Sequence, residues 1–159
     1  RRKGITMRVA VGSDHGGFPL KGAIVDELRR LGHDVIDKGT FDETSVDYPD
    51  FAEAVGMSII TGEAGRGIVL CGSGVGASVA ANKMPGIRAA VCHATYSAHQ
   101  GVEHDDMNVL TLGARIIGPE LAVELVRAFV GAQFSGEPRH QRRLDKVNAI
   151  EARFSRAKE

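Results

Sequence analysis

The sequence predicts an α/β fold: a Rossmann-like three-layer sandwich with a five-stranded parallel sheet, helices on both faces and an extra C-terminal helix. Three observations predict it. Short apolar runs alternate with segments of helical periodicity along most of the chain, the rhythm of β-α-β units joined by right-handed crossovers. The run at 68–71 is apolar without alternation, as a parallel strand covered on both faces must be. Twenty glycines stand against five prolines, which suits tight strand-to-helix turns where backbone approaches a ligand.

The elements follow in order. The first strand is the run 8–12, and the turn Ser13-Asp-His-Gly-Gly17 comes after it. Leu20, Ile24, Leu28 and Leu31 then recur at helical spacing, with Pro19 in the first turn, where a missing N–H costs nothing. Gly32 ends that helix, 34–37 is the second strand, and 39–47 is a polar loop. A second helix begins near Pro49 and is marked by Ala52, Val55 and Ile59. The third strand, 68–71, leads into the glycine turn 72–76 and a helix of small residues over 77–84. The fourth strand, 88–92, and the fifth, 109–112, bracket a helical stretch near 96–102. Gly118-Pro119-Glu120 opens a helix that ends near Gly131. In the tail, a helix over 140–157 carries the apolar stripe Leu144, Val147, Ile150 and Phe154, and no strand follows it. Such a stripe must be buried, either on its own domain or on a second copy of the chain.

Composition narrows the function classes. At 159 residues the chain has the length of one domain, assigned to residues 7–159 with no repeat or linker. Residues 1–6 are basic but lack a signal peptide's apolar stretch; they read as a disordered leader. Lys and Arg total 20 and Asp and Glu total 20, a balance that argues against binding nucleic acid, whose phosphates select a positive field. Hydrophobic residues at 43% and charged residues at 25% are the mix of a globular protein. No apolar run approaches the roughly 18–20 residues of a membrane span. Cys71 and Cys92 are too few for a disulfide framework and show no metal-ligand spacing, so a reduced, cytoplasmic location without a metal is the expectation.

Ligands of open parallel sheets bind at the carboxyl ends of the strands. There the sequence places Asp14 and His15 after the first strand, and Cys71 with Gly72, Ser73, Gly74, Val75 and Gly76 after the third. His93 follows the fourth strand, Arg115 the fifth, and Tyr48 lies in the loop after the second. This polar, glycine-lined rim suits a small anionic molecule. The glycine turn admits three readings. Gly72, Gly74 and Ala77 fit a loose dinucleotide fingerprint, but no acid ends the next strand to hold a ribose. A cysteine-phosphatase loop needs an arginine where Ala77 stands, so that reading fails. The third is a cradle of backbone N–H groups for negative charge. Cys71 is then either an inert small hydrophobe or a stabilised thiolate able to take a proton from carbon. Cys92 has no comparable setting.

Among six histidines, His15 and His104 are acid–base candidates, since imidazole titrates near neutrality. His33 and His99 read as packing or surface residues. His140 belongs with Arg139, Arg142 and Arg143, a solvated face or a phosphate clamp suited to arginine's fixed fork.

Gly12-Ser-Asp-His-Gly-Gly17, Asp47-Tyr-Pro49, Cys71-Gly-Ser-Gly-Val-Gly76 with Ala80-Ala-Asn-Lys83, Tyr96-Ser-Ala98, His104 with Asn108-Val-Leu110, Gly113-Ala-Arg115 and Arg139-His-Gln-Arg-Arg143 occur in this order. Together, from Met7 to about Phe154, they resemble the RpiB/LacAB family of sugar-phosphate isomerases. The resemblance implies a metal-free, cofactor-free aldose–ketose isomerase that passes through an enediolate and acts on ribose 5-phosphate and ribulose 5-phosphate. A six-carbon sugar phosphate, or a phosphosugar-binding module without turnover, is the alternative. It further implies that Cys71 moves the proton between carbons 1 and 2 and that His104 opens the sugar ring. Residues 72–76 would hold the enediolate oxygens, Asp14 the hydroxyls, and His15, Arg115, Arg139 and Arg143 the phosphate. The site would be shared across a homodimer, itself able to pair into a dimer of dimers, so that His104, Arg139 and Arg143 face Cys71 of the other chain. Two positions depart from the family pattern. Ala77 stands where some relatives carry a glutamate base, and Asp105 replaces the usual asparagine, offering a carboxylate to the sugar hydroxyls.

Overall fold

A computed structural model describes residues 5–155. Five strands form one sheet: β1 (Arg8–Ser13), β2 (Asp34–Asp37), β3 (Arg66–Cys71), β4 (Ala89–Val91) and β5 (Val109–Gly113). Six helices connect and follow them: α1 (Phe18–Arg30), α2 (Tyr48–Ile60), α3 (Val75–Ala81), α4 (Thr95–Asp105), α5 (Pro119–Gly131) and α6 (Pro138–Phe154). The strand order is β2-β1-β3-β5-β4, and every neighbouring pair is parallel.

Side-chain alternation sorts the core into two layers. Val9, Val11, Ile68, Leu70, Leu110 and Leu112 point to the face covered by α1, α4 and α5. Ala10, Val69, Cys71 and Val109 point to the other face, under α2 and α3. That period of two sends Cys71 toward α3 and Leu70 away from it. The residues α3 buries are only Ala77 and Ala81, so it lies close to the sheet ends.

Several boundaries differ from the sequence reading. Tyr48 is the first residue of α2 rather than part of the loop before it. Val75 and Gly76 form the first turn of α3, which ends at Ala81. Arg88 lies outside β4, its backbone N–H donating to the Asn108 side chain at 2.8 Å rather than to a neighbouring strand. The last helix opens at Pro138, two residues earlier than expected, because proline is preorganised for a first helical turn. Residues 156–157 of the expected helix, and 1–4 of the expected leader, lie outside the described residues. Ile5 and Thr6 lead irregularly into β1.

Only His140 and Leu144 of α6 are buried. Val147 and Ile150 are each 51% exposed and Phe154 is 82% exposed, so most of the stripe is uncovered among the described residues. Among the described residues, no helix is long and apolar enough to cross a membrane.

Candidate active site

The strand order opens a crevice where β1 and β3 part company. The chain leaves β1 for α1 on one face and leaves β3 for α3 on the other, the topological switch point at which open sheets bind ligands. A cavity of about 300 Å³ lies there, lined by Asp14, Tyr48, Cys71, Gly72, Ser73, Gly76, Arg115 and Ile116.

Cys71 ends β3, and its neighbours are stitched to the end of β5. Ala114 N–H donates to the Cys71 carbonyl at 2.9 Å and Arg115 N–H to the Gly72 carbonyl at 3.0 Å. The Gly74 N–H donates to Cys71 Sγ at 3.1 Å. That bond requires Gly74 to sit at φ +80°, a left-handed conformation that glycine adopts without penalty. The buried Thr111 hydroxyl donates to the Gly74 carbonyl at 2.9 Å and fixes the peptide from behind. An N–H aimed at sulfur contributes most when the sulfur is an anion. Cys71 is also 4% exposed yet lines the cavity.

The walls are set by equally local contacts. Asp14 Oδ1 accepts the Gly17 N–H at 2.9 Å, which fixes the carboxylate at the cavity edge. The Tyr48 ring lies so close to Gly76 that a Cβ there would meet it at 2.7 Å. The Arg115 side chain packs over Gly72, bringing the cavity a guanidinium. His15 is held outside this lining: its Nδ1 accepts the Val46 N–H at 3.1 Å. His93, expected on the rim, instead accepts the Gly113 N–H at Nε2, 3.0 Å away. Burial pushes its pKa down, as suits a neutral acceptor. Val75 is 57% exposed, on the outer side of α3.

The remaining candidates form a second cluster. The His104 ring stacks on His140, with centroids 4.0 Å apart and planes 25° from parallel. Gln100, one turn earlier on α4, places its amide 2.9 Å from His104 Nδ1, and Ser135 Oγ lies 2.6 Å from His140 Nδ1. Burial, then the neighbouring His104 and the Arg139 guanidinium, lowers the His140 pKa. Asp105 and Arg143 line a groove of about 440 Å³ between α6 and the α3–β4 region. Arg139 is exposed and donates to Glu137 at 3.0 Å. Within one chain, then, Asp14, Tyr48, Cys71, Gly72, Ser73, Gly76 and Arg115 come together, while His104, Asp105, Arg139 and Arg143 do not join them. Among the described residues, no group of His, Cys, Asp and Glu side chains could hold a metal ion.

A family model described as Ribose/Galactose Isomerase matches residues 9–147. The chain belongs to that family. It is 49% identical over 146 residues to ribose-5-phosphate isomerase B of Escherichia coli (strain K12), covering 92% of this chain and 97% of the relative. Its fold matches the ribose-5-phosphate isomerase B of Clostridium thermocellum with a TM-score of 0.90 at 49% identity, covering 93% and 99% of the two chains. The type B ribose 5-phosphate isomerase of Trypanosoma brucei matches with a TM-score of 0.89 at 44% identity, covering 92% and 100%.

Sequence reasoning missed three residues that belong to these clusters. Ile116 closes the cavity with Arg115 and had no signal beyond its place after β5. Thr111 sits mid-strand, where a hydroxyl in an apolar run is the only clue. Gln100 had a usable one, since a residue four positions before His104 on a helix shares its face.

Proposed function

We propose that this chain interconverts D-ribose 5-phosphate and D-ribulose 5-phosphate through an enediolate, with Cys71 as the base. The observation that carries this reading is the Cys71 sulfur facing the Gly74 N–H in a cavity that also presents Asp14, Tyr48 and Arg115.

In the proposed mechanism, the Cys71 thiolate takes the proton from carbon 2 of the open-chain aldose. The C–H electron pair becomes the carbon 1–carbon 2 double bond, and the carbonyl pair moves to oxygen 1. Charge develops on that oxygen, where the preorganised N–H groups of residues 72–76 can meet it; such donors commonly contribute roughly 3–4 kcal/mol each. The oxygen 2 hydroxyl proton passes to the oxygen 1 anion as the carbonyl re-forms at carbon 2, and the thiol returns its proton to carbon 1, giving the ketose. Asp14 holds hydroxyls, and His15 and Arg115 join Arg139 and Arg143 on the phosphate. A grip on the phosphate, which takes no part in the proton transfer, orients the sugar. No step calls for a metal or an organic cofactor.

His104, Asp105, Arg139 and Arg143 act in this reading from a second copy of the chain. The uncovered stripe of α6 supports it, because burying Val147, Ile150 and Phe154 on a partner would contribute roughly 1–3 kcal/mol each. One domain over residues 7–159 and a cytoplasmic location complete the proposal, the latter from two free cysteines.

Turnover measured side by side on five- and six-carbon sugar phosphates tests the substrate: five-carbon preference is expected, and no turnover on either would leave a binding module. Cys71→Ala should lose turnover while binding ligand, and parental turnover would remove Cys71 as the base. Mixing Cys71→Ala with His104→Ala chains tests the shared site. Each mixed dimer rebuilds one complete site, so about a quarter of parental activity should return. No recovery after demonstrated subunit exchange would place both residues in one chain's site.

A further inference from the structure

We infer that Lys21 is a positioning residue for the sugar-binding wall of the cavity. This rests on the proposed role of Asp14 and Tyr48. Lys21 is the only lysine among the buried described residues, 4% exposed. Burying an ammonium is costly unless it is paired and its protons are satisfied. Here Nζ donates to Asp37 Oδ1 at 2.8 Å and to the Thr40 carbonyl. The Phe41 ring lies 4.6 Å from Nζ and the Phe18 ring 5.6 Å. Asp37 Oδ1 also accepts the Gly39 N–H at 2.9 Å. Ammonium, carboxylate and the 39–40 backbone thus form one closed set.

That set holds both sides of the cavity wall. The Ser13 N–H donates to the Gly39 carbonyl at 2.7 Å, and the Thr40 N–H donates to the Ser13 carbonyl at 2.8 Å. Ser13 immediately precedes Asp14. In the other direction, residues 41–45 are all exposed, with the Thr44 N–H to Asp42 bond as their described hydrogen bond. The chain then reaches Val46, which binds His15, and Tyr48. Residues 41–45 are tied down only at their two ends, by Thr40 on the Lys21 side and by Val46 and α2 on the other, so the Thr40 end that Lys21 holds helps set how Val46 meets His15 and how the loop enters Tyr48. Nothing in the sequence marks this role, since Lys21 stands between Leu20 and Gly22 with no acid beside it.

The test is steady-state kinetics on ribose 5-phosphate for Lys21→Met, with Asp14→Asn beside it. Displacing the wall should raise KM about tenfold or more and leave kcat within about threefold. The conservative Lys21→Arg should recover most of the KM. A purely structural role would instead lower kcat with the folded fraction at constant KM, and that result overturns the proposal. If the lone Asp37 prevents Lys21→Met from folding, Lys21→Met/Asp37→Asn, which removes both charges, carries the same expectation. Failure of that variant to fold as well assigns Lys21 to global stability and also overturns it. Asp14→Asn separates the two ideas. Parental KM there removes Asp14 from the substrate site, whereas a raised KM with an unaffected Lys21→Met sinks the Lys21 role alone.

Discussion

Gly74→Ala puts the central geometry under direct load. An alanine held at the φ of +80° that Gly74 adopts costs roughly 1–2 kcal/mol. Its Cβ would also stand 2.9 Å from the Leu112 carbonyl carbon and 3.2 Å from the Gly113 nitrogen. Both are backbone atoms inside the β5 ladder, so the Gly74 peptide is the part that yields. The 3.1 Å N–H bond to Cys71 Sγ is then lengthened or lost. A hydrogen bond to a charged partner contributes about 1.5–3 kcal/mol, which corresponds to roughly 10–150-fold in kcat. The strain should lower Tm by about 2–8 °C for a domain of this size. Turnover and the iodoacetamide alkylation rate of Cys71 at fixed pH report the effect, with Cys71→Ala as the blank for Cys92. Folded Gly74→Ala with parental kcat and parental alkylation would refute the idea that this N–H assists the sulfur.

Three further outcomes follow from other contacts. Arg30 and Arg127 hold the Glu27 carboxyl down at about 2, from 4.5. Its contribution is complete above pH 4.5 and fades as pH falls toward 2. Glu27→Gln should therefore cost about 1–2 kcal/mol at neutral pH, discounted for the exposed arginines. In urea melts that deficit should shrink between pH 4.5 and 2, and a constant deficit would contradict the cause. His140 stays neutral in the fold below its ordinary 6.5, while the unfolded chain protonates there. The parent should lose stability relative to His140→Gln as pH drops through 6.5, and parallel pH profiles would exclude this. Arg143→Ala should weaken phosphorylated ligands about tenfold or more while sparing unphosphorylated sugars; equal weakening by calorimetry removes the clamp.

The parts of the fold that can be read from the sequence are those whose cause is local. The strand 68–71 is legible because burial on both faces leaves no polar residue in it, and α1 because its leucines keep one face. The start of α3 is less so. Gly74 and Gly76 look alike in the sequence, yet one turns left-handed while the other is helical and faces the Tyr48 ring. Strand order is not local at all: nothing in residues 109–113 says that β5 inserts between β3 and β4. The candidate site divides the same way. Asp14, Cys71 and Arg115 follow strands and could be placed on one rim. The separation of His104 and Arg143 from them depends on where α4 and α6 lie, a tertiary matter, and so does the burial of Lys21.

The loose seating of α6 has a consequence for how such an enzyme behaves at low abundance. If two polypeptides must meet before any catalytic pocket is complete, mass action enters the rate law. Specific activity would then decline on dilution while each separate chain kept its sheet intact.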